Sequence, residues 1–541
     1  MASKIEYSQN PPVISVRGSE GLFLLSPNQN NYSQLAKFNN FQDDSKNCRI
    51  STFDQTGKYF AYCNSIQVKV IDLENNCSVL SSIDRPRTSY IRFSPLGNYI
   101  VLWETFHISK DAQKESSNLN IYESKSGKLI KSVVHKKQLE RFVEWSSDES
   151  VFALLSNNGE LVFCEPSNPD VVINRIRMEN LSNYSFNPVS KCIAVYASGK
   201  KSEPSFVRLF KYPDLSNALS NKSFFNSDRV EFKWNKSGTN LLLLCSTETS
   251  ANSYYGDSTL HQININGESQ AVQLSKKGPI YALDWNPARD EFVVVYGTMP
   301  AKATLFNGKS EAIYDFGTGP RNECFYNHQG NLLCLAGFGN LRGRIELWNV
   351  SSSNKVPQEI SAFQADDTTY FEWSPDGEHL MTATTAPRLR VSNGFKVWNY
   401  SGENLYNYSM SGNNELWQVQ WQQGLYQAKP VFKKTAPTAV VKEETKAYVP
   451  PHLRGANRQS QVVTKLHQDD EKPDKALKIK PTEKAPGEDI EKQIKNLKKK
   501  LSQIQDLKKK QASGVKLESN QLDKIKHEND VVAELKKLGG V

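Results

Sequence analysis

Two glycine-rich stretches have spacings that could hold a phosphate. Gly308-Lys309-Ser310 carries the ending of a G-x-x-x-x-G-K-[ST] loop, in which backbone amides cradle phosphates and the lysine neutralises them. The earlier glycine of that pattern falls on Ala303, so the match fails. Gly337-Phe338-Gly339 with Gly343 has its third glycine one position late for a dinucleotide fingerprint, and no helical pattern follows. Both read as turns between strands. The eight histidines, at 107, 135, 261, 328, 379, 452, 467 and 527, show no H-E-x-x-H or paired spacing. The eight cysteines form no C-x-x-C pair, which argues against a zinc site or a disulfide framework. No spacing isolates a pair of carboxylates. The chain therefore reads as a non-enzyme that needs no cofactor and no metal.

Cations carry the better signal. The net charge is +9, from 67 Lys/Arg and 58 Asp/Glu. Residues 431–541 hold 25 of the basic and 16 of the acidic side chains, so the whole excess lies there and residues 1–430 are neutral. Lys498, Lys499 and Lys500, with Lys508, Lys509 and Lys510, flank an apolar seam, and Lys492 and Lys495 lie nearby. Basic helices and linkers of this kind bind phosphate backbones by counterion release, without base readout. Lysine favours point-charge attraction over bidentate recognition. The competing reading is a solvated helix face. In the neutral part, Arg342, Arg344, Arg388 and Arg390 are a second set of candidates for RNA or ribosome contact, against ion pairing between loops. No apolar run approaches the roughly 18–20 residues of a membrane helix, and the N-terminus lacks the apolar core of a signal peptide. A cytoplasmic protein without membrane contact is expected.

The elements that must position these residues are repeats. One phrase recurs, an aromatic closing an apolar segment, a polar turn, then an apolar run. It reads FDQTGKYFAY from Phe53, FSPLGNYIVL from Phe93, WSSDESVFAL from Trp145, FNPVSKCIAV from Phe186 and WNKSGTNLLL from Trp234. It continues as WNPARDEFVV from Trp285, YNHQGNLLCL from Tyr326, WSPDGEHLMT from Trp373 and a weaker WQQGLY from Trp421. Successive anchors lie 40–52 residues apart, the period of a four-stranded propeller blade. Strand, Pro/Gly turn and strand make a hairpin. A later apolar–aromatic segment, such as Val70-Ile71-Asp72 or Val397-Trp398-Asn399, marks a blade's outer strand. Nine anchors predict an all-β, nine-bladed, WD40-like propeller over residues 1–434. Val13–Arg17 and Leu22–Ser26 are expected to pair with the strand around Trp421 and close the ring, because an open ring would leave unpaired edges.

The composition then changes. Residues 435–488 are rich in Pro, Lys, Glu, Gln and Thr and read as a disordered basic linker. Residues 489–541 read as a Lys-rich helical segment. Ile490, Ile494, Leu497, Leu501, Ile504 and Leu507 form a stripe about three heptads long. Ser513-Gly514 interrupts it before a second, rougher stripe.

Several strings resemble the eukaryotic translation initiation factor 2A family. They are SYYGDSTLH from Ser253, YGTMPAKATLFN from Tyr296, DFGTGPRN from Asp315, LAGFGNLRGRIELW from Leu335, PDGEHLMTATTAPRLRVSNGFKVWNY from Pro375, ELWQVQW from Glu415 and KAYVPPHLR from Lys446. The resemblance implies a nine-bladed propeller with a helical C-terminal segment. It also implies a factor that binds the small (40S) ribosomal subunit and promotes codon-dependent, GTP-independent delivery of initiator methionyl-tRNA for a subset of mRNAs. Other initiation factors could join through the C-terminal helices. The alternative is a propeller scaffold of the translation machinery that binds only proteins.

Overall fold

The computed structural model describes residues 8, 10–28, 31–43, 47–107, 116–136, 139, 142–199, 203–225, 227–247, 257–351 and 356–427, with Ile504, Gln505 and Lys508. The expected linker at 435–488, and all of 489–541 apart from those three residues, lie outside them.

Nine four-stranded antiparallel sheets make up the ring. Eight follow one another along the chain. We call them blades I (50–83), II (88–133), III (143–177), IV (181–224), V (229–271), VI (280–319), VII (323–364) and VIII (370–409). In each, the first strand is innermost and meets the first strand of a neighbouring blade, and the fourth is outermost. Every aromatic anchor is the last residue of an innermost strand, from Phe53 of Ile50–Phe53 to Trp421 of Leu416–Trp421. The second strands, such as Tyr99–Glu104, Cys192–Ala197 and Leu332–Ala336, are buried almost throughout because neighbouring blades cover both faces. Strands buried on both faces read as continuous apolar runs, which is what the repeated phrase ends on.

The apolar–aromatic segments at Val70 and Val397 are third strands, Val68–Asp72 and Gly394–Asn399, one place further in than expected. The outermost strands are half exposed and polar, for instance Asn404–Ser409, so they leave little apolar signal.

The turn after most anchors explains the Asn/Asp/Ser that opens it. That side chain accepts backbone N–H groups of its own turn: Asp54 from Tyr59 (2.7 Å), Asn286 from Ala288 (2.9 Å), Asn327 from Leu332 (3.0 Å). At Asn187, Asn286 and Asn327 the amide also donates to the turn glycine of the next blade, and at Asn235 it donates instead to Asp290 of the next blade's turn. Asn286 bonds Gly330 O at 2.9 Å and Asn327 bonds Gly377 O at 3.0 Å. Gly330 has φ 69°, and a Cβ there would stand 2.2 Å from Asn286 Oδ1, so glycine is required twice over. A second set of stitches uses the residue before the anchor. Glu144, Asp284 and Glu372 accept the anchor N–H of the following blade, from Phe186 (3.3 Å), Tyr326 (2.9 Å) and Trp421 (2.8 Å).

Blade IX closes the ring as expected and adds one strand. Leu416–Trp421 is innermost, followed by Ile14–Gly18, Gly21–Asn28 and the long polar strand Asn31–Asp43. Ile14 pairs with Trp421 and Val16 with Val419. One face of the blade packs Ile14, Val16 and Leu25 on Met381, Phe395 and Val397 of blade VIII. The other packs Val13, Leu22 and Leu24 on Phe53, Phe60 and Tyr62 of blade I.

Candidate nucleic-acid interface

Antiparallel strands sort the connections onto two faces. Turns from first to second and third to fourth strand share one face. Loops from second to third strand, and from each blade to the next, share the other, which we call the loop face. Arg342 lies in the second-to-third loop of blade VII, with Arg344 the first residue of the strand after it, and Arg388 and Arg390 lie in the corresponding loop of blade VIII. The fold therefore brings the four arginines together on the loop face of adjacent blades. All four are exposed.

Their local structure is built from buried parts. Gly343, at φ 78°, turns the chain where a Cβ would stand 2.0 Å from Ala365 O. Glu346, on the strand that follows, faces two guanidiniums. Its Oε2 lies 2.6 Å from Arg321 Nη2, with both side chains under 10% exposed at 8% and 7%, and its Oε1 lies 2.8 Å from Arg344 Nε. Arg321 also donates through Nη1 to Phe316 O at 3.1 Å. One carboxylate thus neutralises the buried Arg321 and leaves Arg344 as surplus charge at the surface. Arg388 donates to Thr369 O at 3.4 Å and reaches toward blade VII, where a Cβ on Gly339 would stand 3.5 Å from its Nη2. Burial pushes the Glu323 carboxyl up, and the Arg388 charge pulls it back. Arg390 Nε lies 3.5 Å from Glu415 Oε1, an ion pair between the loops of blades VIII and IX. Arg344 and Arg390 do pair with carboxylates, but at exposed positions where such pairs are worth little.

Sequence reasoning missed Arg321 and Glu346, although the DFGTGPRN and GRIELW strings contain them. Of the tail lysines, Lys508 is described, exposed and helical, as is Gln505, while helical Ile504 is buried. Lys492, Lys495, Lys498, Lys499, Lys500, Lys509 and Lys510 lie outside the described residues.

The other candidates for chemistry are structural. Gly308-Lys309-Ser310 is a hairpin turn between the strands Ala301–Asn307 and Ala312–Gly319, and Ala303 is buried in the first of these. Gly337–Gly343 is likewise an inter-strand loop, closed by Gly343 N to Gly337 O at 2.8 Å. His379 Nδ1 lies 2.8 Å from Asp376 Oδ2, which also accepts the Tyr32 hydroxyl at 2.7 Å, and the two rings stack at 3.9 Å. Burial works against the Asp376 charge, yet these partners hold its carboxyl down to about 2. The cluster ties the outermost strand of blade IX to blade VIII. Among the described residues, no group of three or more His, Cys, Asp or Glu could hold a metal ion.

With this geometry in view, comparison with known proteins is specific. A family profile described as "Eukaryotic translation initiation factor eIF2A" matches residues 222–419, and one described as "Eukaryotic translation initiation factor 2A C-terminal domain" matches residues 492–538. The chain is 39% identical to eukaryotic translation initiation factor 2A of Drosophila melanogaster over 82% of its own length and 72% of the relative's. To the Caenorhabditis elegans protein of the same name it is 33% identical, covering 82% of each chain. A solved structure titled "Crystal structure of the eukaryotic initiation factor" superposes with a TM-score of 0.68 at 31% identity, over 76% of this chain and 99% of that one. The ring, its loop-face strings and its C-terminal segment place this chain in the eukaryotic translation initiation factor 2A family.

Proposed function

We propose that the protein acts in translation initiation by binding the small (40S) ribosomal subunit and promoting codon-dependent, GTP-independent delivery of initiator methionyl-tRNA for a subset of mRNAs. Family membership supports the process. The observation that carries the RNA contact is the distribution of charge. A neutral, heavily stitched ring presents exposed arginines on one face, and residues 431–541 hold the entire net charge of +9. In this reading the ring is a rigid platform and the lysine-rich tail supplies salt-dependent attraction to phosphates. The burial of Ala303 in a strand, and the hairpin at Gly308, support GTP independence for that segment. A cytoplasmic location belongs to the same proposal; no helix among the described residues is long and apolar enough to cross a membrane.

The test is crosslinking of the full-length protein to small subunits in the presence of initiator tRNA, with mapping of the contact residues. Crosslinks from tRNA or ribosomal RNA to the tail or the loop face are expected. Crosslinks to ribosomal proteins alone would favour the protein-only scaffold, a reading that the carboxylate pairing of Arg344 and Arg390 keeps in play.

A further inference from the structure

Arg17 stands apart from most of the half-buried arginines of the ring. Arg85 faces Glu104 (3.5 Å), Arg92 faces Glu144 (2.8 Å), Arg289 faces Glu291 (2.9 Å) and Arg321 faces Glu346 (2.6 Å). Arg17 has no carboxylate in ion-pair contact among the described residues. Arg208, which shares that lack, lies in mid-strand over Phe206, away from the loop face. Neutral groups fix Arg17 in place. Its Nε donates to Gln418 Oε1 and its Nη1 to Cys48 O, both at 3.0 Å. Gln418 is itself held by donating to Ser51 O at 3.0 Å. The guanidinium carbon sits 5.6 Å from the centroid of the half-buried Trp417 ring. Nη2 makes no hydrogen bond within the described residues.

Placing a cation in a partly dry site without a counter-charge is costly. Burial draws the Arg17 guanidinium below its ordinary value, whereas at Arg92 the charges and hydrogen bonds of Glu144 and Tyr90 together more than offset the same effect. A preorganised guanidinium with no carboxylate partner and a free edge among the described residues is suited to a phosphate, which it can meet with two parallel hydrogen bonds. The aromatic beside it is what a base stacks on, and this pairing of arginine and aromatic recurs in single-strand RNA sites.

Position supports the assignment. Arg17 lies at the loop-face end of its strand, on the seam between blades IX and I. Arg390 meets Glu415, Glu415 accepts Trp417 Nε1 at 3.0 Å, and Trp417 meets Arg17. Arg390 of blade VIII is thus linked to Arg17 through Glu415 and Trp417, and exposed Arg49 and Arg87 lie on the same face, in the connections leading into blades I and II. We infer that Arg17 and Trp417 form a subsite for one nucleotide of single-stranded RNA at the seam of the ring, its phosphate on Arg17 and its base against Trp417. The inference rests on the RNA-binding part of the function proposed above.

The test uses full-length protein and a fluorescein-labelled hexauridylate carrying one 5-iodouridine, titrated by anisotropy from 50 to 200 mM KCl. Wild-type protein binds and crosslinks through Trp417. Arg17→Gln weakens binding about tenfold and reduces the log–log salt slope by about 0.7, the decrement expected for one neutralised phosphate on a single strand. Arg17→Lys recovers the slope. Trp417→Leu weakens binding roughly tenfold and leaves the slope unchanged. Thermal midpoints like the wild type's show that the variants are folded, and the wild-type crosslink needs no variant. Wild-type protein that fails to bind the probe overturns the RNA reading and the subsite together. A wild type that binds but crosslinks elsewhere, with Arg17→Gln unchanged, overturns the subsite alone. Displacement of the probe by an equimolar phosphoserine peptide reassigns Arg17 to a protein ligand.

Discussion

Replacing Glu372 with Gln is expected to stabilise the ring above neutral pH. Glu372 precedes the anchor of blade VIII and is enclosed by blade IX. Its Oε2 accepts Trp421 N–H at 2.8 Å and its Oε1 accepts Gln423 Nε2 at 3.1 Å. Burial pushes its carboxyl up from 4.5 to about 7, although these donors and the Tyr370 hydroxyl pull the other way. A folded value above the unfolded one means that the native state prefers the proton. The stability this confers is complete below pH 4.5 and is lost as the pH rises to about 7. At 1.36 kcal/mol per pH unit, the loss is about 3 kcal/mol. A glutamine keeps an acceptor for Trp421 N–H and carries no charge, provided Gln423 turns its amide to present oxygen. Urea unfolding of both proteins at pH 5.0, 6.5 and 8.0 checks this. Near-equal stability at pH 5.0 is expected, with the Glu372→Gln variant ahead by about 1–3 kcal/mol at pH 8.0 and m-values unchanged. Asp284, raised by burial to about 6, slopes the same way in both proteins and cancels from the difference. A difference that is constant across the three pH values would refute the reasoning.

Three further outcomes are expected. Removing residues 1–30 takes away buried Val13, Ile14, Val16, Leu22, Leu24 and Leu25, at about 2 kcal/mol each, a total comparable with the whole stability of a domain; fragment 31–434 should fail to give the cooperative melt shown by fragment 1–434. Tyr32→Phe removes a hydrogen bond to a charged carboxylate and should cost about 1.5–3 kcal/mol at pH 7. That cost should shrink between pH 3.8 and about 2, where Asp376, held low in the fold, takes up its proton; chemical denaturation over that range measures it. Changing Lys498–Lys500 and Lys508–Lys510 to Gln should weaken RNA binding and reduce the salt slope by up to about 0.7 for each phosphate no longer neutralised, as read by filter binding in graded salt.

The ring was legible because every blade repeats the same hairpin, in which an aromatic, a side-chain-capped turn and a doubly buried strand leave three signals in ten residues. Closure was legible for Ile14–Gly18 and Gly21–Asn28, whose apolar residues mark them as strands and which neighbouring blades cover on both faces. Asn31–Asp43 was not, because an outermost strand has one wet face and its Asn- and Gln-rich sequence looks like a loop. The arginines of blades VII and VIII could be named from their strings, since they lie within a few residues of one another in each loop. Arg17 could not be found that way. In sequence it is one arginine in an apolar strand, and what marks it is the indole and amide facing it, from a strand about 400 positions later in the chain, with no carboxylate paired to it among the described residues.

The seam also constrains how the protein can be made. The partners joined by Val13 N–H and the Gln422 side chain are 409 positions apart. At about 5–20 residues per second of synthesis, the three N-terminal strands wait roughly 20–80 s for the innermost strand of their blade. Throughout that time Ile14–Gly18 offers an apolar edge with no strand beside it, and each nascent chain on a polysome displays the same edge to its neighbours. Blade IX is thus both the last part of the ring to form and the part most open to exchange between chains during synthesis.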